Sequence, residues 1–429
     1  MTTDESLAEP AAKAPPRSPL RDRDFRWLMV GNTASNFGGQ IGDVAIPLVA
    51  VLTVGASSFD VGVMRTVGQL PYPLFVLFVG VVVDRWRRRN MLIAADLGRA
   101  AALALIPLAY SMHQLGLSAL YITAFLIGTC MVLFDVGSQA YLPRVVERDQ
   151  IPAGNSHLET ARSAALIAGP ALGGLFVAWF SPANALIACV VFYLISASGI
   201  WLIRRPEPKP TPSTEPVKPL RQIGEGFKLV FGNAILRSVV LIAAMFNFCY
   251  AGYLAMYLVY MPIELKLSSY EIGLALAASG PGLLVGALLS SRLPKRFGYG
   301  LVLNTSAIVS CVFLLGVSLL HGNGFLTVGT LILLNFVYSA LSMTFGVTLA
   351  GIRQSITPDR MLGRVMATHR FLGVGSVPLG SFVGGVLGEE LGLRKGLFII
   401  TIGMIAASCL FLFSALRKIG RELPEALDA

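Results

Sequence analysis

The chain has 429 residues, of which 55% are hydrophobic and 14% charged, and its mean hydropathy is +0.69. That is more apolar side chain than one soluble core can hide, so the surplus must face lipid, and a soluble globular enzyme is excluded. The net charge of +10 could suit a nucleic-acid surface, but the cations are spread over alternate loops between apolar segments, as lipid-headgroup anchors are, and no nucleic acid is expected as a partner.

In chain order, residues 1–23 are expected to be a disordered cytoplasmic tail, with Pro10, Pro15, Pro16 and Pro19 among small and charged residues. This tail is not read as a signal peptide, because the apolar run comes too late and is too long. Twelve apolar runs follow, at approximately 26–54, 59–83, 90–112, 117–139, 155–180, 184–203, 237–262, 270–293, 299–320, 325–350, 366–388 and 395–416. Each is long enough to cross roughly 30 Å of hydrocarbon. Helices are expected, since lipid satisfies no backbone group and the short alternating strands of a barrel are absent.

The first span carries Asn32, Asn36, Gln40 and Asp43 within an arc of about 80° at 100° per residue, so one face of this helix is wet. A carboxylate inside a span costs on the order of 3 kcal/mol unless it meets a cavity or a partner, which makes Asp43 the candidate proton-coupling residue. The competing reading is an acid near the outer end that reaches interfacial water. Arg65, about one turn into the second span from the same side, could pair with it. The following loop reads GVVVDRWRRR, with Gly80, Asp84, Arg85, Arg88 and Arg89. An acid at this edge can meet the positive end of a neighbouring helix while the arginines grip carboxylates and lipid phosphates, contacts that form and break as a gate moves. Asp96 and Arg99, three apart in the third span, are expected to neutralise each other. The fifth span contains AGPALGG, where Gly169 and Gly173 make a small face for a close neighbour, Pro170 frees a carbonyl and Gly174 follows.

Between the sixth and seventh spans, RRPEPKPTPSTEPVKPLRQ has the composition of an extended, solvated connector. It separates a bundle at 24–204 from one at 236–416, with the linker at 205–235 and a cytoplasmic tail at 417–429. Gly169, Gly173 and Gly174 recur as Gly380, Gly384 and Gly385 at an offset of 211, and Asp149 and Asp359 nearly align. Such glycines also occur in ordinary helix packing; equal span counts and a central linker favour duplication. In the seventh span Asn247, Tyr250, Tyr253 and Tyr257 occupy an arc of about 120° and could line a substrate cavity. An outer aromatic belt is the alternative, expected for Tyr260 and open for Tyr257. The loop GALLSSRLPKRFG echoes the first-half gate with Gly286, Arg292 and Arg296 but lacks its acid.

Arginines and lysines crowd one set of loops, while the opposite set holds Lys266, Arg394 and Lys395. Both termini are therefore expected in the cytoplasm. Cys130, Cys189, Cys249, Cys311 and Cys409 fall in five separate spans, and neither they nor the four histidines assemble a metal or nucleophile set. No metal, cofactor or enzymatic activity is expected.

The Asp84–Arg89 loop resembles that of the major facilitator superfamily, which carries a glycine, Asp-Arg and a basic pair here; Arg87 stands where the family usually has glycine. By this resemblance Asp135, in the fourth span, is the partner of one loop arginine. AGPALGG resembles the glycine-proline motif of the superfamily's drug and metabolite antiporters. Residues 24–416 resemble the branch that includes enterobactin and macrolide exporters, notably in LIAADLGRA, FDVGSQAYLP and GRVMATHRFLGVGSVPLG. The resemblance implies an all-α membrane protein, twelve transmembrane helices in two pseudo-symmetric six-helix bundles with a substrate site between them. It implies a monomeric plasma (inner) membrane exporter exchanging drugs, siderophores or other natural products for protons. The alternatives are an uptake permease or uniporter, and a receptor that binds without transport. No GxxxxGK[ST] loop is present, so direct ATP drive is not expected.

Overall fold

The computed structural model describes residues 18–75, 86–207, 219–358 and 361–422. Among them the regular elements are all helical. The first bundle comprises α1 (Arg23–Val49), α2 (Ser58–Gln69), α3 (Arg88–Ser111), α4 (Leu117–Val145), α5 (Ile151–Phe180) and α6 (Pro182–Trp201). A linker helix, α7 (Pro219–Gly232), precedes α8 (Ala234–Ile263), α9 (Ser269–Ala277), α10 (Ser279–Phe297), α11 (Tyr299–Val317), α12 (Phe325–Ile356), α13 (Leu362–Leu391) and α14 (Leu393–Phe413). Among the described residues, eleven helical stretches are long and apolar enough to cross a membrane, α9 and α10 together forming one of them. The expected second span, at 59–83, is described as far as residue 75.

Local chemistry sets several ends. The Asp22 carboxylate accepts from the Asp24 N–H at 2.8 Å and starts α1, which continues through a π-helical turn, Ala50–Val54, to Gly55 at φ +73°. Reciprocal capping boxes open α2, between Ser57 and Asp60, and α9, between Ser268 and Glu271. Those two boxes lie 211 residues apart, so the internal repeat extends to helix starts that the glycine match did not include.

Packing follows the same repeat. In the first bundle α1 lies on α5 and α6, and α3 on α4 and α6; in the second α8 lies on α13 and α14, and α12 on α10 and α11. Gly169 leaves room for Gln40 of α1, and Gly380 for the Phe248 carbonyl of α8. Between bundles, Gly385 of α13 abuts Gly62 of α2, and Gly174 of α5 abuts Gly273 of α9. The two contacts are images of each other under the 211-residue shift. A Cβ on Gly62 would stand 2.7 Å from the Gly385 Cα, so only glycine permits this approach. Beside them the Thr66 hydroxyl donates to the Pro378 carbonyl at 3.0 Å. Among the described residues, these close glycine contacts between bundles lie toward the end that carries the two capping boxes.

Asp96 and Arg99 form the expected ion pair, and both are buried, at 0% and 4% exposure. The pair ties four helices together: Ser196 of α6 and Ser35 of α1 donate to Asp96, and the Arg99 guanidinium lies 4.4 Å from the ring centroids of both Phe134 and Tyr193. Asp96→Ala should lower stability by about 3–5 kcal/mol, because it leaves an uncompensated guanidinium in the bundle. Asp96→Ala/Arg99→Met should be less damaging than Asp96→Ala alone. Thermal unfolding in detergent measures the ranking, and a double variant less stable than the single one would refute it.

The linker departs from a uniformly extended connector. Glu207 accepts from the backbone N–H groups of Arg88 and Arg89 at 3.0 and 3.1 Å, capping α3, while the Arg89 guanidinium donates to the Ile200 and Trp201 carbonyls at the end of α6. Asp24 likewise accepts from the Arg204 and Arg205 N–H groups. Residues 208–218 lie outside the described residues, and α7 then packs on α8 and α13, with Phe227 edge-on to Phe371 at 6.2 Å.

Candidate functional site

Asp43 lies within α1, a helix that is long and apolar enough to span a membrane, and it is exposed. Its electrostatic neighbour is Arg65 on α2, one turn beyond Gly62, but no Arg65 nitrogen comes within 4 Å of an Asp43 oxygen. Arg65 Nε is buried and has no hydrogen-bond partner. Arg65 is also within electrostatic range of Tyr250 of the second bundle, and Asp43 of Cys189 and Tyr193 of α6. The expected pairing of Asp43 with Arg65 is therefore an interaction across a gap.

The rest of the wet face of α1 divides. The Asn36 amide donates to both the Asn32 carbonyl and the Asn32 side-chain oxygen at 2.7 Å, so these two satisfy each other along the helix. Gln40 packs its stem against Gly169. Pro170 continues α5 between Gly169 and the Gly173–Gly174 pair.

The tyrosine face of α8 divides as well. Tyr250 is partly exposed, whereas Tyr253 and Tyr257 are each only 2% exposed and stack behind it, with ring centroids 6.4 Å apart from Tyr250 to Tyr253 and 5.2 Å from Tyr253 to Tyr257. The expected row of three cavity tyrosines is corrected to one partly exposed ring with two buried supports. Asn335 of α12 donates to the Tyr257 hydroxyl at 2.7 Å, and Tyr338 stacks on Tyr250 at 5.6 Å. Neither α12 residue was singled out from the sequence, though Asn335, Tyr338, Ser339 and Ser342 share one helical face and could have been. Asn247 stands beside Gly373 of α13. Tyr260 is buried, donating its hydroxyl to the Leu320 carbonyl at 2.9 Å under the Arg394 guanidinium, which corrects its expected place in a lipid-facing belt.

Of the gate residues, Gly80, Asp84 and Arg85 lie outside the described residues. Arg88 pairs with Glu207 at 3.5 Å and Arg89 with the end of α6, so neither is the partner of Asp135 here. Asp135 is partly exposed and feels the charges of Arg162 on α5, Arg99 on α3 and Arg370 on α13.

Comparison with known proteins places this architecture. The family described as Transmembrane secretion effector matches residues 14–427. The chain is 24% identical over 393 residues to the multidrug efflux pump Tap of Mycolicibacterium fortuitum, covering 88% of this chain and 92% of that protein. It is 24% identical over 395 residues to macrolide efflux protein A of Streptococcus pyogenes, covering 89% and 94%. Among solved structures, a bacterial homologue of the iron transporter ferroportin, in an inward-facing state, superposes with a TM-score of 0.73 at 15% identity, covering 92% of this chain and 99% of that one. The nucleoside transporter NupG gives 0.70 at 11%, covering 92% and 99%. These likenesses show the fold.

Proposed function

We propose, on the premise that this chain belongs to the transmembrane secretion effector family of the major facilitator superfamily and so is a membrane transporter and not an enzyme, that it exports small organic molecules in exchange for protons. The observation that carries the reading is Asp43: an exposed carboxylate on a membrane-spanning helix, with Arg65 of α2 as its electrostatic neighbour one turn from the closed Gly62–Gly385 contact between the bundles. One carboxylate exposed to each side in turn is what proton exchange requires. Relatives named as drug and macrolide efflux pumps support the outward direction. Asn32, Asn36, Gln40, Asn247 and Tyr250 are assigned to the cavity, with Tyr253 and Tyr257 as its second layer. The Gly80–Arg89 loop and Asp135 are assigned to the cytoplasmic gate.

The arginine-bearing end is assigned to the cytoplasm of the plasma membrane, which makes this arrangement inward-facing. Cysteines placed near Arg88, Lys209 and Arg296 should then label only from inside, and those near Ser57, Gly116 and Asn323 only from outside. Labelling of the Arg88 and Asn323 sites from one side would refute that topology. The function itself is tested by expressing the protein in an efflux-deficient host and measuring compound accumulation. A protonophore-sensitive fall in accumulation of at least one compound is expected, and unchanged accumulation across a broad panel would count against export.

A further inference from the structure

The two charged pairs inside the first bundle are built in opposite ways. Asp96 and Arg99 touch, are filled in by two serine hydroxyls and two aromatic rings, and leave no accessible space. Asp43 and Arg65 attract each other but stay apart, and Asp43 is exposed; a buried Nε without a hydrogen-bond partner is common to Arg65 and Arg99, so the difference lies in the open contact and the accessible carboxylate. In a low-dielectric interior an open pair of this kind forgoes both direct contact and full hydration, so its unfilled hydrogen-bonding capacity is available to a ligand. Within electrostatic range of Arg65, the other bundle offers Tyr250, partly exposed and with Tyr338 stacked on it, and next to it on α8 the Tyr253 hydroxyl is without a partner.

We infer that the transported ligand is dipolar and bridges this gap, its ammonium or other N–H donor on Asp43, its carboxylate or carbonyl acceptor on Arg65, and a flat ring against Tyr250. The inference rests on the export reading and names the substrate class of that same site. It also supplies a direction of coupling. A proton on Asp43 cancels the charge that holds the donor end, so proton and ligand compete, as exchange requires. A ligand with only an anionic end would instead compete with Asp43 for Arg65 and bind together with the proton, the wrong sign for antiport. Lying one turn from the Gly62–Gly385 contact, Arg65 would feel the ligand where the bundles meet.

The test uses purified full-length protein and three fluorescent probes on one ring system: ciprofloxacin, zwitterionic near neutral pH, its ethyl ester, which keeps only the cation, and its N-acetyl derivative, which keeps only the anion. At neutral pH ciprofloxacin should bind at least tenfold more tightly than either derivative, and the ester, which has no carboxyl of its own to protonate, should weaken as pH falls from 7.5 to 5.5. Asp43→Asn should abolish its advantage over the N-acetyl compound, and Arg65→Gln its advantage over the ester, while Arg65→Lys, which retains the charge, should preserve part of that advantage. Because the readout is selectivity among probes in protein that elutes as folded monomer, a general loss of stability does not reproduce it. An ester that binds as well as the parent, discrimination unchanged in Arg65→Gln, or failure of all three probes to bind would overturn the proposal. Binding is read without any gradient, so this failure is separate from that of proton-driven export.

Discussion

Asp43→Asn is expected to abolish uphill, protonophore-sensitive efflux while leaving the protein inserted and able to bind ligand. Asparagine keeps the size of the side chain and its acceptor oxygen but cannot take up or release a proton. Coupled exchange needs the proton-bound and ligand-bound forms of one site to favour different arrangements of the two bundles. Without titration at position 43 the cycle loses that bias, and net transport against a gradient should fall by more than 100-fold, about 2.7 kcal/mol of lost drive. Ligand binding should survive, weakened by about tenfold, because one charge-assisted hydrogen bond becomes a neutral one. Downhill exchange should persist. Asp43→Asn with unimpaired uphill transport would remove Asp43 from the coupling step.

Gly62→Val should be as damaging for a different reason. The new Cβ would stand 2.7 Å from the Gly385 Cα and 2.8 Å from the Ser381 carbonyl, and neither backbone atom can rotate away as a side-chain end could. The capped end therefore cannot close as it does here, and arrangements with that end open become favoured. Transport should fall by at least tenfold. A cysteine introduced at Gln69 should become reactive to an impermeant reagent from the capped side. Gly329→Val is the control, since a Cβ there meets nothing within 4 Å, and it should transport normally. Protection of the Gln69 cysteine in Gly62→Val equal to that in the parent would argue against a glycine-closed outer gate.

Eleven of the twelve spans were legible because lipid imposes a length and a polarity that a sequence cannot disguise. The repeat was legible in three glycines, and it proved to run through Ser57 and Ser268, Asp60 and Glu271, and Gly62 and Gly273. Asp96 and Arg99 could be paired because one helical turn separates them. What stayed hidden is which helix faces which. A tyrosine on a membrane helix can face lipid, another helix or a cavity, and the 3.6-residue period gives its angle but not its neighbour. So the burial of Tyr253 and Tyr257 awaited the placement of α12, and the electrostatic neighbourhood of Tyr250 and Arg65 awaited that of the second bundle. The role of Glu207 was hidden for a related reason. Its partners are unpaired backbone N–H groups at the start of a helix 118 residues earlier, a contact without side-chain periodicity.

The central claim is most directly tested in proteoliposomes that contain this protein alone, with an imposed pH gradient and the compound whose accumulation it lowers in the efflux-deficient host. The account predicts movement of that compound against its own gradient while protons run down theirs, stopped by a protonophore and absent from Asp43→Asn vesicles. Wild-type flux that runs only downhill and is the same with and without the pH gradient would contradict it.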